Sequence, residues 1–205
     1  MIKKYVAEFI GTFALAFVVT LAVIGQFSIA TPILAAVTVG LFVYSIGHVS
    51  GTHINPAITI GLWSIKKISW RDAIAYIAAQ LAGAFVALLI AKIFNPIAGT
   101  AFATVAPTMK EWLLIGGAEL IGTFFFAFGV ASAVFGKVDG KVSGVMVGGS
   151  LFIGIVIASL AGSLGLLNPA VALAIGTFKW SFIIGPIIGS VLGMQAYKYL
   201  AHHGR

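Results

Sequence analysis

The sequence predicts an all-α membrane protein, with six transmembrane helices and two re-entrant half-helices arranged as an inverted internal repeat. Three observations predict it. Hydrophobic residues make up 60% of the 205 residues and charged residues only 8%, against roughly 25% charged in a soluble domain. Apolar runs long enough to cross a bilayer, about 20 residues, can be placed six times. Two separate motifs each occur twice at nearly one spacing.

The first run, Tyr5–Gly25, follows Lys3 and Lys4. A basic pair before an apolar run also fits a secretory signal. Against that, Glu8 lies early in the run, no small-residue cleavage site follows, and the same motif returns mid-chain. The second run is Pro32–Val49. Asn55–Ile65 comes next and is too short to cross: about 11 residues at about 1.5 Å each span about 16 Å. That is half a membrane, so the segment is a re-entrant half-helix. The third, fourth and fifth spans are Asp72–Lys92, Trp112–Phe135 and Val142–Leu160. A second half-length piece, Asn168–Phe178, precedes the sixth span, Trp180–Leu200.

Charge separates the two faces. Six spans put both termini on one side with Lys3, Lys4, Lys66, Lys67, Arg71, Lys137, Lys141, Lys198 and Arg205, leaving Lys92, Lys110 and Lys179 on the other. Nine against three on short loops predicts cytoplasmic termini. The net charge of +7 does not indicate a nucleic-acid partner, because the cations flank apolar runs rather than forming a stripe interleaved with aromatics. There is no cysteine, which removes disulfides, thiolate chemistry and Cys-based metal sites. His48, His53, His202 and His203 are too scattered for zinc, and no nucleophile–base pair is visible. No enzyme activity, metal or cofactor is expected.

Ala7-Glu8-Phe9-Ile10-Gly11-Thr12-Phe13 recurs as Ala118-Glu119-Leu120-Ile121-Gly122-Thr123-Phe124, 111 positions on. Asn55-Pro56-Ala57 recurs as Asn168-Pro169-Ala170, 113 positions on. Two motifs at nearly one offset indicate a duplication: a single channel domain, 1–205, with a first repeat at 1–110 and a second at 111–205. Three spans per repeat is an odd number, so the halves are inverted in the membrane. Their half-helices then approach from opposite faces and meet near the midplane.

A helix amino terminus carries unpaired N–H groups and about half a positive charge. Two such ends aimed at one spot repel cations and protons. Pro56 and Pro169 suit the first helical position, and Ala57 and Ala170 are small enough for the turns to touch. Asn55 and Asn168 would cap the helices while offering amide donors to a passing neutral molecule. One such loop alone would read as a buried helix cap; its inverted duplicate makes the pore reading the stronger.

These residues carry a resemblance. Gly47-His48-Val49-Ser50-Gly51-Thr52-His53-Ile54-Asn55-Pro56-Ala57 resembles the first signature loop of the aquaporin and glycerol-facilitator (major intrinsic protein) family. Ala79-Gln80-Leu81-Ala82-Gly83-Ala84 resembles its third span and Pro186-Ile187-Ile188-Gly189 its sixth. The resemblance implies a right-handed six-helix bundle, one pore per subunit and a homotetramer in a lipid bilayer. It also implies that Glu8 and Glu119 brace the signature loops, with a proton relay as the alternative for carboxylates placed in lipid. His53 would line the inner vestibule or simply pack in its loop.

The departures from the family bear on the solute. The resemblance implies an arginine after the second Asn-Pro-Ala, where this chain has Val171. The resemblance implies three further constriction positions, which counting from the asparagines places at Ala35, Val156 and Gly165. Valine has neither the donors nor the charge of arginine, so a filter of Ala35, Val156, Gly165 and Val171 is expected to be wide and apolar. It would pass water or small uncharged solutes such as polyols, urea or dissolved gases, or dewet and close.

Other features have packing or turn roles. Asn95-Pro96 has no repeat partner and is expected to be a turn. Gly144/Gly148 and Gly185/Gly189/Gly193 have the four-residue spacing of close helix contacts. Trp63, Trp70, Trp112 and Trp180 sit near segment ends, as interfacial tryptophans do. His202 and His203 are expected in an exposed tail. Two rival functions remain at this point: a secondary transporter, which would need a coupling site beyond Glu8 and Glu119, and a non-conducting structural member of the fold. Compact loops without cysteine point to a prokaryotic cytoplasmic membrane.

Overall fold

Six long apolar segments form helices, two of which start at side-chain caps. The computed structural model describes residues 2–27, 30–100, 108–135 and 139–203; Lys137, Arg205 and the side chains of His202 and His203 lie outside it. The long helices are α1 (Ile2–Ile24), α2 (Ala30–Ser50), α4 (Trp70–Phe94), α5 (Met109–Val134), α6 (Ser143–Leu160) and α8 (Ser181–His203); the short ones are α3 (Pro56–Ser64) and α7 (Pro169–Ala174). No strand occurs among the described residues.

Several starts fall earlier than the apolar runs suggest. The Ser69 hydroxyl accepts the Asp72 N–H at 3.1 Å and starts α4 at Trp70. Thr108 and Glu111 bond each other's backbone N–H reciprocally, a capping box that starts α5 three residues before Trp112. Asp139 caps a short 3-10 turn leading into α6. Five of the six long helices are apolar enough to cross a membrane on length and composition. The sixth, α8, has the length but carries Pro186 inside it and Gln195 and Lys198 near its end.

The half-helices differ in length. α3 has 9 residues, whereas α7 has only 6, stopping well before the expected Phe178. Gly176 ends it: at φ 80° it turns the chain out of the helix, its N–H bonding the Leu173 carbonyl and that of Thr177 bonding the Ala172 carbonyl. This pair of bonds is the Schellman stop. A side chain here would also collide with the Gly99 carbonyl.

Close packing recurs in matching ways within the two halves. A Cβ at Gly83 would collide with the Phe9 carbonyl oxygen, and one at Gly189 with that of Leu120. Phe9 and Leu120 are themselves 111 positions apart, so α4 crosses α1 as α8 crosses α5. Gly185 and Gly193 continue the second contact against Gly116 and Phe124, while Gly144 and Gly148 bring α6 onto Gly40 and Ala36 of α2. The half-helices fill the space left inside: α3 packs against α4 and α8, and α7 packs against α1 and α4. Alanines make the second contact possible, with Ala170 and Ala174 buried against Ala16, Ala84 and Ala87. Asn95 ends α4 and accepts the Ile97 N–H, so the third Asn-Pro is a turn.

Candidate functional site

Each half-helix is reached through a loop held by one buried glutamate. Glu8 accepts the Ser50 hydroxyl at 2.7 Å and the His53 N–H at 2.9 Å on Oε1, and the Ile54 N–H at 2.6 Å on Oε2. Glu119 repeats this grip with the Ser163 hydroxyl at 2.5 Å and the Leu166 N–H at 2.9 Å on Oε1, and the Leu167 N–H at 2.7 Å on Oε2. The three partners in each set are 113 positions apart. Buried carboxylates are costly unless well hydrogen-bonded, and here both oxygens of each glutamate accept donors from the loop or the residues leading into it.

The held loops are strained where they meet. Ile54 and Leu167, each immediately before its asparagine, have φ of 39° and 53°. Left-handed backbone at such residues costs about 1–3 kcal/mol and persists only when the surroundings enforce it. The enforcement comes from both sides of each residue. The Ile54 and Leu167 N–H groups go to the glutamates, while their carbonyls accept the amides of the opposite asparagines. Asn55 Nδ2 donates to the Leu167 oxygen at 2.8 Å and Asn168 Nδ2 donates to the Ile54 oxygen at 3.0 Å.

The asparagine oxygens face the other way and cap the half-helices. Asn55 Oδ1 accepts the Ala57 N–H at 2.8 Å and the Ile58 N–H at 3.4 Å; Asn168 Oδ1 accepts the Ala170 N–H at 3.0 Å. Pro56 and Pro169 occupy the first helical positions. The positive ends of α3 and α7 therefore meet in the interior of the bundle. An amide has two donor hydrogens, so each asparagine has one left after its bond to the opposite loop.

Around the first loop lies a polar cluster that sequence reasoning missed. Gln80 Nε2 donates to Glu8 Oε2 at 2.8 Å and to Thr59 Oγ1 at 2.9 Å. The Thr59 hydroxyl donates to the Asn55 carbonyl at 3.0 Å. His53 Nδ1 lies 3.2 Å from the same hydroxyl oxygen. The signal for Gln80 was available, since it is an isolated amide in an otherwise apolar span. His48, by contrast, is exposed.

A cavity of about 480 Å³ leads to the asparagines from the face opposite the amino terminus, starting at Gln26 and Thr31 and reaching His53, Asn55 and Asn168. Its walls are largely aliphatic: Leu15, Val19, Val39, Leu151 and Ile175 line it, together with Phe126. Leu15 and Phe126, which are 111 positions apart, both line it. Three of the four expected constriction residues, Ala35, Gly165 and Val171, line this cavity. Val156 does not. The residue that lines it is Ile155, with Leu151 and Ser159 one helical turn to either side. Ile155 and Val156 are one residue apart, which in a helix is about 100° of rotation. Among the described residues no three His, Asp or Glu side chains are grouped to hold a metal.

The Major intrinsic protein family profile matches residues 1–197. The chain belongs to the major intrinsic protein family. Among its relatives in this family, Aquaporin AqpM of Methanothermobacter marburgensis is 34% identical over 97% of this chain and 97% of that one. Aquaporin NIP2-1 of Zea mays is 30% identical, covering 98% of this chain and 72% of the relative. The X-ray structure of the aquaglyceroporin from Plasmodium falciparum superposes with a TM-score of 0.77 at 23% identity, covering 98% of this chain and 96% of that chain. This major intrinsic protein thus has the aquaporin fold and is an integral, multi-pass membrane protein.

Proposed function

We propose that this major intrinsic protein is a passive channel for water and small uncharged solutes, with a wide apolar constriction formed by Ala35, Ile155, Gly165 and Val171. The observation that carries the reading is the pair Asn55 and Asn168, hydrogen-bonded across to each other's loops at the inner end of a largely aliphatic cavity. Helix ends and amides facing a largely aliphatic passage favour a neutral molecule with lone pairs and oppose a cation. Valine at position 171 leaves the outer part of the passage without the donors and charge of an arginine, which favours size over hydrogen bonding as the basis of selection.

In this reading Glu8 and Glu119 brace the loops rather than relay protons, because every contact they make is to a loop or helix donor. The activity is that of a channel, not an enzyme. The repeats run 1–110 and 111–205. The excess of Lys and Arg on the face bearing the termini supports a cytoplasmic location for both, in a prokaryotic inner membrane, and the family resemblance supports a homotetramer.

Stopped-flow light scattering on proteoliposomes tests the function directly. Water gradients and then glycerol and urea gradients are expected to give fast, non-saturating flux above that of empty liposomes. Fast water flux with no solute flux removes the wide constriction, and flux driven by a proton or sodium gradient replaces the channel with a transporter.

A further inference from the structure

The link between α3 and α4 forms a basic groove on the face that carries the amino terminus. An open depression of about 420 Å³ is bounded by Trp63, Lys66, Lys67, Ser69 and Trp70, with Arg71 next in sequence and its guanidinium 5.1 Å from the Trp70 ring. The link stands on the amino-terminal face because Asp72 pairs with Lys4 at 2.8 Å and accepts the Tyr5 hydroxyl. Those contacts also occupy Asp72, the nearest acid. Among the described residues no carboxylate pairs with Lys66, Lys67 or Arg71. The five acids of the chain are accounted for elsewhere: Glu8 and Glu119 in the loops, Glu111 and Asp139 in caps, and Asp72 on Lys4.

Lys66 is held in an unusual way. It has φ 65° and is the left-handed residue of the Schellman stop of α3, its N–H bonding the Trp63 carbonyl and that of Lys67 bonding the Leu62 carbonyl. Glycine is the residue that fills this position without strain, and at the end of α7 the chain has Gly176 there. A lysine in a glycine position is strain without a packing return, since its side chain is exposed. Trp63 and Trp70 flank it at 50% and 56% exposure, the arrangement of tryptophans at headgroup depth. The positive end of α4 adds to the local potential.

We propose that this groove binds the phosphate of an anionic phospholipid headgroup from the leaflet on the amino-terminal side, with Lys66, Lys67 and Arg71 neutralising it and the two indoles seated beside the acyl-chain boundary. Basic pockets at this depth attract anionic lipids, and each cation near the surface contributes enough for roughly a five-fold change in affinity. The site is separate from the passage and stands whether or not a given solute crosses.

The experiment is native mass spectrometry of the full-length protein in neutral detergent, titrated with phosphatidylglycerol or with phosphatidylcholine of the same acyl chains. Thermal unfolding is followed in parallel, with inorganic phosphate as a third arm. Wild-type protein is expected to retain phosphatidylglycerol preferentially. Lys66→Gly is expected to unfold at the same or a higher temperature, because the strain is relieved, yet to bind about five-fold more weakly. The triple variant Lys66→Gln, Lys67→Gln, Arg71→Gln is expected to lose the preference, while Lys92→Gln with Lys179→Gln on the other face keeps it. Wild-type affinity in the triple variant overturns the proposal, as does equal retention of phosphatidylcholine. Stabilisation by inorganic phosphate equal to that by the lipid assigns the groove to a free anion and also overturns it.

Discussion

Ile54 and Leu167 are each pinned through both peptide groups: the N–H to a glutamate of their own half, the carbonyl to the asparagine of the other half. Both residues sit at left-handed φ, so the glutamates and asparagines act as opposite jaws on a strained link. The tip-to-tip placement of α3 and α7 depends on four side chains rather than on the short helices themselves, which are too short to be stable alone.

Replacing a glutamate should therefore release a loop. In Glu8→Gln or Glu119→Gln the new amide N–H₂ faces donors, and each buried donor left unpaired costs about 1–3 kcal/mol. Both variants are expected to unfold at clearly lower temperature in detergent and to carry less water per folded molecule. Gln80→Leu leaves Glu8 its three loop donors and is expected to fall between these variants and wild type. Thermal unfolding followed by fluorescence-detected size exclusion gives the order; Glu8→Gln matching wild type would contradict the bracing role.

The asparagines should prove coupled. Asn55→Ala removes a cap, worth about 1 kcal/mol, and strips the Leu167 carbonyl of its partner; Asn168→Ala does the same to Ile54. Once one jaw is open, the other bond holds a loop that is already free to move. The double variant is expected to lose less than the two single losses added, with a coupling energy of about 0.5–3 kcal/mol. A double-mutant cycle on unfolding free energies measures it, and strict additivity would mean the two loops do not depend on each other.

What the sequence made legible follows from how each feature is encoded. The six spans and two half-helices are encoded in hydropathy and length, and the repeat in two literal motifs, so they were read close to where they stand. Their starts moved by up to three residues because Thr108 with Glu111, or Ser69 with Asp72, caps through polar residues outside the apolar run. α7 stopped early because Gly176 carries a backbone stop that hydropathy does not register. Val156 lies off the cavity wall for a different reason: linear counting has no helical phase, whereas the cavity is lined by Leu151, Ile155 and Ser159 at four-residue spacing. Gln80 stands out in the sequence as an isolated amide, but its bond to Thr59 forms only once α3 and α4 are packed together.

Phase can be tested by adding bulk. Ile155→Phe enlarges a side chain that lines the cavity and should lower glycerol and urea flux several-fold, with a smaller effect on water. Val156→Phe places the same bulk on a neighbouring face of α6 and should leave the solute-to-water ratio unchanged. Paired stopped-flow measurements on the two variants distinguish them. The reverse pattern would return Val156 to the constriction.

The strongest test of the apolar constriction is to restore what Val171 lacks. Val171→Arg brings five donors and a fixed charge to the wall of a cavity of about 480 Å³. Glycerol and urea flux should fall at least about tenfold, equivalent to about 1.4 kcal/mol of added barrier, while water continues to pass because it is small and can exchange hydrogen bonds with a guanidinium. Volume alone is controlled by Val171→Met, which narrows the wall without donors or charge and should reduce solute and water flux together. If selection rests on width, methionine and arginine both exclude the solute, and only arginine preserves water. If Val171→Arg folds, conducts water and still passes glycerol at the wild-type rate, position 171 does not border the narrowest part of the path, and the wide apolar filter is the wrong description of it.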